Sequence, residues 1–89
     1  MMSILDNVYN YYEKLVLEEL AENSREPNPD QDLITDVVCL ALNKLPTRYF
    51  RHGVDMAFYL SSADFVKMRE EVKVAVDAAF QQISQSSRS

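Results

Sequence analysis

Apolar side chains recur at intervals of three and four along three stretches of this chain, and two stretches between them break the period. Ile4, Val8, Tyr12, Leu15 and Val16 share one face if Met1–Asn23 is helical, and Ser3 with Asp6 supplies a capping box at its start. Glu13, Glu18, Glu19 and Glu22 then form an acidic outer face, with Lys14 placed to meet Glu18 one turn on. Residues 24–32 (SREPNPDQD) hold two prolines, three acids and no apolar side chain, which predicts a solvated loop. Asp30 or Asp32 can cap a second helix. Its apolar positions, Leu33, Ile34, Val37, Val38, Leu40, Ala41, Leu42 and Leu45, cover most of the circumference, the pattern of a central, buried helix. Pro46 ends it by driving Leu45 out of the α region.

Residues 47–60 are the least regular. Val54, Met56, Phe58 and Leu60 alternate as in a strand, but no partner strand is evident elsewhere, so an irregular or single-turn segment is expected unless two chains pair there. Ser61 with Asp64 forms another capping box, stapled by Leu60 and Phe65. A third helix follows through Phe65, Met68, Val72, Ala75, Val76, Ala79, Phe80 and Ile83, before a Ser- and Gln-rich tail at 84–89 that should fray. The expected fold is therefore a single all-α domain over residues 1–89, a three- to four-helix bundle. A chain of this length buries only about 60–65% of its unfolded surface. Association would relieve that thin margin, and Tyr9, Tyr11 and Tyr12 are of the type enriched at interfaces. A homodimer is expected on that ground, against the plainer alternative that these tyrosines edge the chain's own core.

Composition narrows the chemistry. One glycine, Gly53, and three prolines are too few for an all-β sandwich or barrel, and a single glycine excludes a Gly-rich phosphate loop. Fourteen acids against nine bases, a net charge of −5, argue against a DNA or RNA polymer as partner. With no secretory pattern and no apolar run of about 18 residues, the expectation is a cytoplasmic chain that does not enter membranes. Cys39 cannot pair internally and has only His52 beside it as a soft ligand, so no zinc site is expected. Cys39 lies within the most apolar helix and reads as an inert small hydrophobe. No nucleophile with an adjacent base is evident, so no catalytic residues are assigned and no enzyme is expected.

One segment reverses the acidic balance. Lys44, Arg48, Arg51 and His52 fall within nine residues, interleaved with Tyr49 and Phe50. Guanidinium groups bind phosphate or guanine in a bidentate way and a phenol ring stacks on a base, so the cluster suits a small anionic nucleotide. In the plainer alternative, Arg48 and Arg51 pair with helix-1 glutamates while Tyr49 and Phe50 pack under the loop.

Two strings in this region, LVLEEL at Leu15–Leu20 and VCLALNKLPTRY at Val38–Tyr49, resemble the ComFB family of late competence development proteins. The family motif ALN-x-LP-x-[RK]-Y falls on Asn43, Leu45, Pro46, Arg48 and Tyr49, and a looser N-terminal pattern falls on Asn10, Glu13 and Val16. Similarity is good from Asn7 to Phe50, and the third helix matches only in position and amphipathic character. The resemblance implies a small, helical, dimeric, non-enzymatic bacterial protein. Firmicute members carry a cysteine cluster suited to zinc between the first two helices. Here that segment has no cysteine, and no metal is carried over. Cyanobacterial members are receptors for cyclic di-GMP, which implies that ligand here. The motif also has a structural reading, Asn43 satisfying groups at the helix end and Pro46 setting the exit direction.

The functional expectation is a regulatory module that senses a cyclic dinucleotide through Lys44, Arg48, Tyr49 and Arg51 and signals to a protein partner. The alternative is a structural adaptor that binds a partner through helix faces, with no small molecule.

Overall fold

The computed structural model describes residues 4–23 and 30–86. Three helices dominate: α1 (Tyr11–Glu22), α2 (Gln31–Lys44) and α3 (Ser62–Ser86). A two-stranded antiparallel sheet joins β1 (Val8–Asn10) to β2 (Tyr49–Arg51), in the register Val8↔Arg51, Tyr9↔Phe50, Asn10↔Tyr49. Single 3-10 turns lie at Ile4–Asn7 and Met56–Phe58. The fold is thus mostly helical, and the sheet corrects the all-α expectation.

The first helix begins at Tyr11, ten residues later than its apolar spacing suggests. Ser3 lies outside the described residues, Ile4 is 81% exposed, and Val8 is in β1. The physical reason is Asn10. Its extended backbone ends β1 while its side chain accepts the Tyr12 N–H at 3.3 Å, so strand pairing and helix capping meet at one residue. The expected contact between Lys14 and Glu18 is present at 4.0 Å on the surface.

Asp30, not Asp32, caps α2, accepting the Asp32 N–H. Leu45 ends it in an extended conformation (φ −95°, ψ 151°), as the following Pro46 requires. Residues 24–29 of the expected linker lie outside the described residues. The central helix is α3, which packs against both others, and α2 buries fully only Val37 and Ala41 within its length. Its remaining apolar side chains are half-buried and Cys39 is exposed, contrary to the expected interior position. One layer of neighbours covers one face of a helix, and so small a chain has no second layer to cover the other.

The core is built from Tyr11, Tyr12, Leu15 and Val16 of α1, Val37 and Ala41 of α2, and Met68, Val72, Ala75, Val76 and Ala79 of α3, closed by Leu45 and Leu60. Tyr11 and Tyr12 are therefore interior residues and Tyr9 is half-buried, so the tyrosine argument for a dimer interface does not hold. Among the described residues no helix is long and apolar enough to cross a membrane.

The expected capping box at α3 is present. The Ser61 N–H donates to Asp64 Oδ2 at 2.9 Å, and the Asp64 N–H donates to Ser61 Oγ at 3.1 Å. Leu60 and Phe65 both pack into the core at this end, as a staple requires. The helix continues to Ser86, past the expected end at Ile83; residues 87–89 lie outside the described residues. The backbone and side-chain hydrogen bonds of Ser61 hold the Asp64 carboxyl below its usual 3.8. Because the folded value is depressed, the cap contributes fully above the unfolded value of about 4 and is lost as pH falls through the lower folded value. Asp64→Asn should therefore flatten the pH dependence of stability below about pH 5, measured by thermal melts followed by circular dichroism.

Of the stretch 47–60 expected to be irregular, residues 54–60 are so, with one 3-10 turn, but residues 49–51 form a strand, which corrects that expectation. The strand lies earlier, at Tyr49–Arg51, and its partner is β1, inside the stretch read as helix 1. A turn from Arg51 to Val54, closed by the Val54 N–H to the Arg51 carbonyl at 3.3 Å, returns the chain from β2. Gly53 at its third position has φ 85°, which an L side chain rarely adopts.

Candidate functional site

Asn10 sets the geometry of the motif segment. Besides capping α1, its Oδ1 accepts the Arg48 N–H at 2.9 Å, and the Tyr11 N–H donates to the Arg48 carbonyl at 2.8 Å. Arg48, the residue that enters β2, is thereby fixed on both its backbone groups. At the other end of the ribbon the His52 N–H donates to the Asn7 carbonyl at 2.9 Å.

Side chains alternate along β2. Phe50 is half-buried and points to the core side, where its ring meets Tyr11 edge-on at 6.1 Å and Tyr59 at 6.0 Å. Tyr49, 62% exposed, and Arg51, also exposed, share the opposite, outward face. Arg48 falls on the Phe50 side, its guanidinium carbon 5.7 Å from the Phe50 ring centroid. His52 stacks on Tyr9, with centroids 4.8 Å apart and planes at 22°.

The structure therefore divides the four candidate ligand residues. Tyr49 and Arg51 stand together. Arg48 faces a cleft of about 110 Å³ that it shares with Tyr12, Asp64, Lys67 and Glu71. Lys44 is exposed on the last turn of α2 and lines a separate groove of about 660 Å³ against α3, with Val66, Val74 and Ala78. Among the described residues no carboxylate pairs with Lys44, Arg48 or Arg51. The pairing with helix-1 glutamates considered above is absent there, although Phe50 does pack inward. The Arg48 charge closes no ion pair: at Asp64 it adds a minor downward pull to that of the Ser61 hydrogen bonds, and at Tyr12 it only partly opposes a net upward shift.

Of the other motif positions, Leu45 is buried, Asn43 and Pro46 are exposed, and the Leu45 N–H caps the helix end on the Leu42 carbonyl without help from Asn43. In the cleft, burial first, and then the adjacent Glu71 carboxylate, push the Tyr12 hydroxyl above its usual 10.0. The phenol stays neutral and hydrogen-bonds to Glu71. No sequence spacing links Tyr12 to Glu71, whereas Asn10 was visible as a capping residue type and as a position in the looser family pattern. The described residues contain no group of three His, Cys, Asp or Glu side chains placed to hold a metal ion.

These features define a small, mostly helical module that displays a short strand with exposed cationic and aromatic side chains. The chain belongs to the ComFB family: residues 9–87 match the model for late competence development protein ComFB. The match extends the resemblance, good from Asn7 to Phe50, to the end of β2 and over the whole of α3. Membership suggests a competence-related regulatory protein. No curated protein and no solved structure gives a match.

Proposed function

We propose that this chain is a non-enzymatic, cytoplasmic regulatory module that binds cyclic di-GMP on the outward face of β2 and relays its bound state to a protein partner. One observation carries the reading: in an acidic chain, Tyr49 and Arg51 stand side by side in solvent, and Arg51 has no carboxylate partner among the described residues. A guanidinium offers two parallel N–H donors to a phosphate or to the Hoogsteen edge of guanine, and a phenol ring offers a stacking surface. Arg48, exposed at the root of the strand, adds a positive charge within the same short segment.

Each of these contacts contributes about 1–3 kcal/mol, so Arg51→Ala or Tyr49→Ala should weaken binding by roughly 5- to 150-fold, and Arg48→Ala by less. Isothermal titration with cyclic di-GMP, with helicity checked by circular dichroism, reads this out. An absence of heat at tens of micromolar folded protein would refute cyclic di-GMP as ligand. If the Tyr49 and Arg51 variants bind like the parent, the site lies elsewhere. The exposed Val66 and Val74 in the α2–α3 groove favour a second reading, an adaptor that recruits a protein without any small molecule. In that case titration is silent.

A further inference from the structure

We propose that the outer edge of β2 pairs with the same edge of a second copy, and that the pairing completes the ligand site by bringing Tyr49 and Arg51 of both chains onto one face. This rests on the cyclic dinucleotide reading above and assigns the site a second half.

The argument starts from the ladder. The 11/48 and 7/52 pairs carry hydrogen bonds, at 2.8 and 2.9 Å, and each lies two positions from Tyr9↔Phe50. By antiparallel alternation Phe50 directs its N–H and C=O at Tyr9, and Tyr49 and Arg51 direct theirs away from β1. The Arg51 carbonyl takes the Val54 N–H of the turn. The Tyr49 N–H, the Tyr49 carbonyl and the Arg51 N–H have no partner among the described residues. The sheet's other edge differs: of its outward positions, Val8 is half-buried and Asn10 is 6% exposed and runs straight into α1. One edge is covered and the other is an open template for a strand.

That edge is complementary to itself. With a two-fold axis at Phe50, Tyr49 of one copy lies opposite Arg51 of the other, and each such pair exchanges two N–H···O=C bonds. The Arg51 carbonyl keeps its turn bond on its second lone pair. In this register each guanidinium neighbours a phenol ring of the other copy, whereas placing Arg51 opposite itself would set like charges together. The Phe50 side chains meet at the axis on the inner face. A four-stranded sheet results, ordered β1-β2-β2-β1.

The outward face then presents two phenols and two guanidiniums related by two-fold symmetry. A cyclic dinucleotide has two bases and two phosphates related in the same way, so one chain alone offers half of a matching surface.

The test compares Tyr49→Pro with Tyr49→Ala. Both remove the phenol, but only proline removes the outward N–H, and neither disturbs the Phe50–Tyr9 bonds. Light scattering should give the parent and Tyr49→Ala about twice the 10.3 kDa chain mass and Tyr49→Pro the single mass, with equal helicity. Titration of the parent should give one cyclic di-GMP per two chains. Should the proline variant fail to fold, cross-linking decides the register. In a Cys39→Ser background, a Tyr49→Cys chain mixed with an Arg51→Cys chain should form the mixed disulfide in preference to either homodisulfide. A parent of single mass that binds ligand one to one overturns the pairing while the receptor reading stands. A folded Tyr49→Pro variant that still dimerises also overturns it. A parent dimer broken by proline but silent in titration supports the pairing and refutes the receptor reading.

Discussion

Replacing Asn10 with alanine should lower stability by about 2–4 kcal/mol and the melting temperature by on the order of 10–20 °C. Its Oδ1 accepts two backbone N–H groups, from Tyr12 at 3.3 Å and from Arg48 at 2.9 Å, in a position 6% exposed. Loss of a helix cap costs about 0.5–2 kcal/mol, and leaving a part-buried N–H without an acceptor costs about 1–3 more. Asp at the same position keeps the acceptor and should retain most of the stability. Thermal melts of the two variants check this, and a loss below about 1 kcal/mol for Asn10→Ala would mean that water replaces the amide oxygen. Because the second of these bonds holds the entry to β2, the alanine variant should also weaken the proposed cyclic di-GMP binding by more than its folded fraction accounts for.

Val76→Asp should leave the chain unfolded at neutral pH. Val76 has no exposed surface and lies within the core face of the helix that contacts both others. An unpaired carboxylate there would have to be stripped of water or protonated, at several kcal/mol. A domain of about 90 residues has only about 5–13 kcal/mol in total. The expected readout is loss of the helical circular dichroism signal. Val76→Ala, which removes two methyl groups without adding charge, should remain folded with a loss of about 1–3 kcal/mol.

The long helical stretches were legible because their apolar residues repeat with the helical period. Val37 and Ala41, or Val72, Val76 and Ala79, were placed correctly by spacing alone, and the box of Ser61 and Asp64 by residue type. Spacing failed at the N-terminus because Ile4 and Val8 continue the α1 stripe numerically while the backbone there follows another instruction. That instruction, pairing with a strand some forty positions away, leaves no local trace in three residues such as Val8–Asn10. Cys39 misled for the opposite reason: its helix is apolar on most sides, yet only one side has anything to pack against. At the candidate site the sequence grouped Lys44, Arg48, Tyr49 and Arg51 by proximity. Strand alternation, known only once β2 is placed, separates Arg48 from Tyr49 and Arg51.

The ribbon of β1 and β2 closes a loop that contains both α1 and α2, because Asn10 and Tyr49 stand opposite each other. Such a long-range closure forms late and opens early relative to the helices it encloses. Damage anywhere in the enclosed segment is therefore transmitted to β2, and under the proposed function a partly assembled chain would give no false signal.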